Sequence, residues 1–130
     1  MKRLILPLIF IALILLPPDV RGETGPSVEV AVVGTGVENL MPIGVAESFP
    51  SSVDRIYCYS KIINGEATTI THRWYYGERV VSEVPLTIGS PSFRTYSYKT
   101  ILPHYSGKWR VEIVSETGDL LKTLEFIIVE

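Results

Sequence analysis

Residues 53–76 have the sequence VDRIYCYSKIINGEATTITHRWYY, in which two runs rich in β-branched and aromatic residues flank Asn64-Gly65. Such runs favour strands, and Asn-Gly between them is typical of a tight β-hairpin because both turn positions prefer a positive φ. A hairpin with a loop of two or four residues places Tyr57 opposite His72. The segment therefore predicts two adjacent, antiparallel strands.

This pairing divides the predicted hairpin into two faces of unequal polarity. The more apolar face is expected to face the core, together with His72. Its other members are Val53, Tyr57, Tyr59, Ile70, Trp74 and Tyr76. Cys58 falls on the opposite face, with Ile56, Ser60 and Ile62. Because Cys58 and His72 are then separated by the sheet, the pattern argues against a Cys–His nucleophile pair.

Further strand patterns lie on both sides of the hairpin, at the spacing of a sandwich or barrel. Before it come a strand at 28–33, with Val28, Val30 and Val32 on one side, and a Gly- and Pro-rich connection with room for one short strand. After it, strand patterns cover residues 79–88, 92–101, 108–115 and 120–129. We therefore predict an all-β fold, an antiparallel, immunoglobulin-like β-sandwich of about seven or eight strands.

The last two strands are predicted to form a hairpin that turns at Thr117-Gly118. Pairing Trp109 with Phe126 keeps the apolar residues on one face and avoids opposing two glutamates. Pro85 lacks a backbone donor, so the strand at 79–88 is expected at a sheet edge.

The N-terminus has the pattern of a secretory signal peptide. Lys2 and Arg3 precede an apolar run at residues 4–16, which Pro17 and Pro18 end. The run is short for a membrane-spanning helix, although retention as an anchor stays open. We predict a signal peptide at residues 1–22 and a single β-sandwich domain at residues 23–130, located in the periplasm or secreted, with no membrane span after cleavage.

Composition limits the partners and the chemistry of this domain. Residues 23–130 hold nine basic and thirteen acidic side chains, a formal net charge of about −4, so no nucleic-acid partner is expected. Cys58 is the only cysteine, which excludes an internal disulfide. The thiol is either a small buried apolar group or a reactive site. Two histidines and one cysteine predict no metal site and no cofactor.

From about residue 53 to the C-terminus the chain resembles the bacterial domain of unknown function 2914 family. The matching motifs, in order, are THRWYYG at 71–77, SFRTYSYK at 92–99, GKWRV at 107–111 and TGD at 117–119. The resemblance implies an exported β-domain and adds no chemistry, because the family has no assigned activity. The residues to which its pattern points are His72, Trp74, Arg94, Ser97 and Lys99.

The candidate binding residues are His72, Trp74, Arg94, Tyr96, Tyr98 and Lys99. Alternation along the strand places Arg94, Tyr96 and Tyr98 on one face, which suits contact with carbohydrate or peptide, or exposure to solvent. His72 is interpreted as a hydrogen-bonded core residue or as a ligand-binding group. No residue is predicted to be catalytic.

These observations favour a non-catalytic, extracytoplasmic binding or interaction domain of the bacterial cell envelope. Its partner is expected to be an envelope glycan or an envelope protein. Two alternatives remain at this point: a structural accessory module whose edge strand pairs with a membrane or envelope protein, and a hydrolase.

Overall fold

The structure, a computed structural model, describes residues 25–130, so the predicted signal peptide lies outside the described residues. Within them the chain forms ten strands and no helix. None of the described segments is a helix with the length and hydropathy needed to cross a membrane. The strands are β1 (Ser27–Gly34), β2 (Gly36–Glu38), β3 (Met41–Ile43), β4 (Ser48–Pro50), β5 (Arg55–Ile63), β6 (Thr69–Tyr76), β7 (Arg79–Thr87), β8 (Ser92–Thr100), β9 (Gly107–Ser115) and β10 (Leu120–Val129).

These strands form two main sheets and one small hairpin. One sheet has the order β1-β5-β8, the other has the order β4-β10-β9-β6-β7, and β2 pairs with β3. Seven strands are long and three are short, and the short β4 pairs with β10 in parallel. The prediction of an all-β sandwich is confirmed, although one pair departs from the antiparallel pattern.

The core lies between the two main sheets, since alternate residues of each long strand point to the facing sheet. Buried residues come from both sheets, and the bulkiest include Ile56, Ile62, Trp74, Trp109 and Phe126. Aromatic rings contact each other at one end, where Trp109 stacks on Phe126 with centroids 5.8 Å apart. With the only cysteine unpaired, apolar burial is the main source of stability.

The prediction for the last hairpin is confirmed. Trp109 is opposite Phe126 and Arg110 is opposite Glu125 in the β9–β10 pair. The turn contains Gly118 at φ 91°, a conformation that glycine adopts without strain. The strand that contains Pro85 is also at a sheet edge, as predicted.

The predicted hairpin at Asn64-Gly65 is wrong. β5 pairs with β1 and β8, whereas β6 pairs with β7 and β9 in the other sheet. Asn64 has φ 59°, but Gly65 has no positive φ, so the two-residue turn predicted from the sequence does not form. Gly65 is instead buried, where an added Cβ would lie 3.0 Å from Cβ of Pro26. Residues 64–68 connect β5 of the three-stranded sheet to β6 of the five-stranded sheet.

The faces of β5 are consequently the reverse of the prediction, whereas those of β6 are as predicted. Ile56, Cys58, Ser60 and Ile62 point into the core and are fully buried. Tyr57 points outward from the sandwich. Since β5 and β6 do not pair, their inward faces meet across the core. Residues that the sequence pattern placed on opposite faces of one hairpin, such as Cys58 and His72, are therefore neighbours.

Strand β1 also differs from its predicted pattern. The pairing of β1 with β5 shifts between Val28 and Val30, as at a β-bulge. Val28 and Ala31 therefore pack against the core, and Val33 is buried, whereas Val30 is 40% exposed. The predicted common face of Val28, Val30 and Val32 is wrong for this reason. The connection that follows holds three short strands, β2 to β4, where one was expected.

Candidate functional site

The structure separates the six candidate residues into three places. His72 and Trp74 are fully buried between the sheets. Arg94, Tyr96 and Tyr98 lie on the outer face of the three-stranded sheet. Lys99 belongs to neither group: it is half-buried on the inner side of β8, with Nζ 6.0 Å from the ring centroid of Tyr105. The two larger groups are therefore separate candidate sites.

His72 is the centre of a buried polar cluster that joins the two sheets. It projects from β6, and its two ring nitrogens meet hydroxyl groups of the other sheet. Nε2 lies 2.8 Å from Oγ of Ser60, and Nδ1 lies 2.7 Å from Oγ of Ser97. A neutral imidazole has one donor and one acceptor, and each hydroxyl can serve as either, so both nitrogens are satisfied.

Trp74 extends the cluster along β6. Its indole Nε1–H donates a hydrogen bond to Oγ of Ser97 at 3.1 Å. Ser97 of β8 therefore accepts from Trp74 and contacts His72 at the same time. The sequence pattern singled out Ser97 through the family resemblance, but it placed Ser60 on the wrong face and missed its role.

Cys58 borders this cluster, which corrects the expectation that Cys58 and His72 lie on opposite faces. The Cys58 sulfur lies 4.0 Å from Nε2 of His72. Burial raises the pKa of the Cys58 thiol to about 12, with a smaller opposing effect from Ser60. Burial also lowers the pKa of His72 to about 4. A thiolate–imidazolium pair needs the opposite shifts, so both groups are neutral at pH 7.

The Ser60–His72 contact has the distance of a nucleophile and its general base. Ser60, His72 and Cys58 are each 0% exposed, so a substrate reaches them only if the sheets separate. Each of the four polar contacts around His72 and Ser97 joins one sheet to the other. This arrangement stabilises the sandwich and fixes how the sheets align.

The second group belongs to a surface that we call the tyrosine strip, made of Arg55, Tyr57, Arg94, Tyr96 and Tyr98. Tyr57 of β5 is opposite Tyr98 of β8, and their ring centroids are 5.4 Å apart. The rings of Tyr57 and Tyr96 are 6.0 Å apart. Tyr96 is 42% exposed and Tyr98 is 46% exposed. Three tyrosine rings thus form a continuous aromatic surface on a two-strand platform.

The β2–β3 hairpin borders the strip and covers its neighbour Tyr59. The Tyr59 hydroxyl donates to the carbonyl of Leu40 at 3.0 Å, and Tyr59 is 4% exposed although it points away from the core. Arg94 Nη1 lies 3.7 Å from Sδ of Met41 in the same hairpin. The hairpin therefore bounds the strip beside Arg94.

Guanidinium groups lie at the two ends of the strip. Cζ of Arg55 is 4.4 Å from the ring centroid of Tyr98, a cation–π distance. Arg55 pairs in register with Thr100, and Arg94 pairs with Lys61, so the tyrosines lie between the two arginines. The sequence analysis missed Arg55 and Tyr57 because β5 was assigned the wrong face. The alternation of Arg55, Tyr57 and Tyr59 in β5 is the sequence pattern that indicates this outward face.

The outer face of the five-stranded sheet has a different chemistry. Arg73 and Arg110 form ion pairs with Glu83, Glu112 and Glu78. Cζ of Arg110 lies 3.7 Å from the centroid of Tyr75, whose hydroxyl donates to Glu112. A groove of about 340 Å³ at this sheet is lined by residues of both charges, among them Glu47, Lys108 and Glu125. These charges compensate one another on a solvated surface.

Within residues 25–130, no three His, Cys, Asp or Glu side chains converge as a metal site. The polar cluster around His72 offers one imidazole and neutral hydroxyls, and the tyrosine strip offers cations and phenols. Neither donor set suits a divalent cation.

Comparison with known proteins gives a match to a family of unknown function. The family model described as "Protein of unknown function (DUF2914)" matches residues 67–128, which include β6 to β9 and all of β10 except its last residue. No curated protein matches the chain. The match begins after β5, so it includes His72, Trp74, Ser97 and the β8 residues of the tyrosine strip, but not Ser60 or Tyr57. Residues 67–128 of this chain are thus similar to the DUF2914 family of proteins of unknown function, as the sequence motifs had indicated.

Proposed function

We propose that this protein is a non-catalytic binding domain of the bacterial cell envelope, exported to the periplasm or beyond, whose tyrosine strip contacts a carbohydrate ligand. The observation that carries the proposal is the cluster of three adjacent tyrosine rings, two of them more than 40% exposed. Export is supported by the signal-peptide pattern of residues 1–22.

An aromatic surface of this kind suits sugar rings. Each phenol ring combines a large apolar face with a polar hydroxyl, so it can pack against the C–H face of a sugar and hydrogen-bond its rim. The rings project from β5 and β8, which are paired over nine residues. A paired sheet holds side chains more rigidly than a loop does, which lowers the entropy lost on binding.

The buried cluster supports the non-catalytic part of the proposal. Ser60 and Cys58, the potential nucleophiles beside His72, are enclosed between the sheets, whereas the exposed strip carries phenols and guanidinium groups. A hydrolase needs its nucleophile and base within reach of the substrate. A binding role requires only the strip.

The free edge of β8 favours a second candidate, a structural module that pairs with an envelope protein. Within the described residues β8 pairs only with β5, and its nine residues contain no proline. An exposed edge of this length can accept a strand of another chain. In that case the partner would be a peptide, and the binding would depend on the backbone of β8 rather than on the tyrosine rings.

A screen of glycans and cell-wall fragments tests the proposal. The purified protein is compared with Tyr96→Ala, Tyr98→Ala and the matched control Tyr75→Ala on the outer face of the other sheet. We expect at least one glycan to bind, and both strip variants to weaken binding about tenfold or more, while Tyr75→Ala binds as the original protein does. Binding that survives both strip substitutions, or an absence of glycan binding, would contradict the proposal.

A further inference from the structure

The two arginines of the tyrosine strip are exposed, and like the half-buried Lys99 on β8 they form no ion pair within residues 25–130. Lys61, beside Arg94 on the same face, is ion-paired with Glu29 at 3.0 Å. Arg73 and Arg110 on the other sheet are ion-paired as well. Among the ion pairs of residues 25–130, neither Arg55 nor Arg94 takes part in one.

The groups around these arginines leave both guanidinium groups accessible to an anion. Arg55 lies beside the phenols of Tyr57 and Tyr98, and the nearby Asp54 does not form an ion pair with it. The thioether of Met41 near Arg94 is a weak acceptor. A guanidinium with free N–H groups forms paired, charge-assisted hydrogen bonds with carboxylate or phosphate. Both ends of the strip are therefore complementary to anions, although residues 23–130 as a whole are acidic.

The spacing of the two arginines favours an extended ligand. Arg55 is opposite Thr100, so six residue positions of β8 separate the arginines, about 20 Å of strand. The exposed side chains of Tyr96 and Tyr98 lie between the two arginines. A single small anion contacts one end only, whereas an oligosaccharide along the strand direction packs its rings on the tyrosines and reaches both ends.

We propose that the tyrosine strip binds an anionic oligosaccharide, one whose sugar units carry carboxylate or phosphate groups, laid along β8 from Arg94 to Arg55. This inference rests on the proposed function and narrows it to a class of ligand. The sugar rings contact the tyrosines, and the anionic groups bind the two guanidinium groups.

Two matched pairs of probes test the charge requirement by isothermal titration. Hexagalacturonate is compared with its fully methyl-esterified form, and phosphorylated maltohexaose is compared with maltohexaose. We expect at least one charged probe to bind about tenfold more tightly than its neutral partner, with affinity that falls as sodium chloride is raised. The pair that shows the preference distinguishes carboxylate from phosphate as the group recognised.

Substitution of the arginines completes the test. Arg55→Ala and Arg94→Ala are each expected to weaken binding of the charged probe about tenfold and to reduce its advantage over the neutral one. Arg79→Ala is the matched control, since Arg79 is exposed on β7 and makes no ion pair within residues 25–130. Equal binding of charged and neutral probes that still depends on Tyr96 and Tyr98 would overturn this inference and leave the proposed function standing. If none of the probes binds and none of the glycans in the screen binds, this inference and the proposed function are both wrong.

Discussion

His72 of β6 and Ser60 of β5 meet across the core, with 2.8 Å between Nε2 and Oγ, so that a single imidazole is hydrogen-bonded to the opposite sheet. Apolar contacts between sheets allow small sliding movements, whereas this contact and the one to Ser97 have defined directions. We infer that the cluster fixes the alignment of the two sheets and that its loss is measurable.

Replacing His72 with Ala should lower the free energy of unfolding by about 2–4 kcal/mol. The substitution leaves a cavity and removes the partner of two buried hydroxyls. His104→Ala is the control, because His104 is exposed in the β8–β9 connection and should change stability by less than about 0.5 kcal/mol. Urea denaturation of the three proteins measures the difference. Equal midpoints for His72→Ala and the original protein would contradict the structural role.

Stability should decrease in mild acid because of His72. Burial lowers the pKa of His72 to about 4 in the folded protein, against 6.5 for an ordinary histidine. Between these values the unfolded chain binds a proton that the folded protein does not, so acid favours unfolding. The contribution is about 1.4 kcal/mol per pH unit from pH 6.5 down to pH 4, and about 3 kcal/mol in all.

Urea denaturation between pH 4 and pH 8 measures this linkage. His72→Gln should lose the corresponding part of the slope, whereas His104→Gln should keep it. If His72→Gln shows the same dependence on pH as the original protein, His72 is not the group responsible.

Replacing Ser97 with Ala should cost about 1–3 kcal/mol, since it leaves Nε1–H of Trp74 and Nδ1 of His72 without their common partner. Combined with His72→Ala, the loss should be smaller than the sum of the single losses, because both substitutions remove the same contact. Denaturant melts of the single and double variants give the coupling energy. Strict additivity would show that Ser97 and His72 do not interact.

Cys58 should react slowly with a thiol reagent in the folded protein. The side chain is fully buried, and burial raises its pKa to about 12, so the reactive thiolate is scarce until the chain opens. We expect labelling with an aromatic disulfide at pH 8 to be at least about 100-fold slower than in guanidinium chloride. Rapid labelling of native protein, or a disulfide-linked dimer, would contradict a packing role for Cys58.

The exported protein should begin close to Glu23. Cleavage after the predicted signal peptide at residues 1–22 removes the basic start and the apolar run. Intact-mass measurement of the protein from the extracytoplasmic fraction tests this. A species of full-length mass in the membrane fraction would instead indicate a retained anchor.

The sequence predicted the fold class and the β9–β10 register because those features depend on local pattern. Trp109 and Phe126 lie close in the chain, and alternation together with the charges of Arg110 and Glu125 leaves one satisfactory pairing. The pattern of β8 was sufficient for its outer face, so Arg94, Tyr96 and Tyr98 were placed correctly.

The faces of strand β5 were predicted wrongly because the assumed hairpin placed Tyr57 on the same face as His72. The face with Cys58 holds no charged residue, whereas the other holds Arg55 and Lys61. The partners of β5 are β1 and β8, which are distant in sequence. Asn64-Gly65 is typical of a hairpin, yet here the chain crosses between sheets. The cluster of His72 with Ser60 could not be predicted, because it needs two strands that face each other without pairing.

The crossover at residues 64–68 also has a consequence for the order in which the protein folds. In the five-stranded sheet, β6–β7 and β9–β10 are hairpins of neighbouring segments, whose closure requires little loop entropy. The three-stranded sheet has no such hairpin: β1, β5 and β8 come from distant parts of the chain. Long-range pairing of this kind is slow, so we expect that sheet to assemble after the two hairpins. We therefore expect the tyrosine strip, built on β5 and β8, to form after the β6–β7 and β9–β10 hairpins.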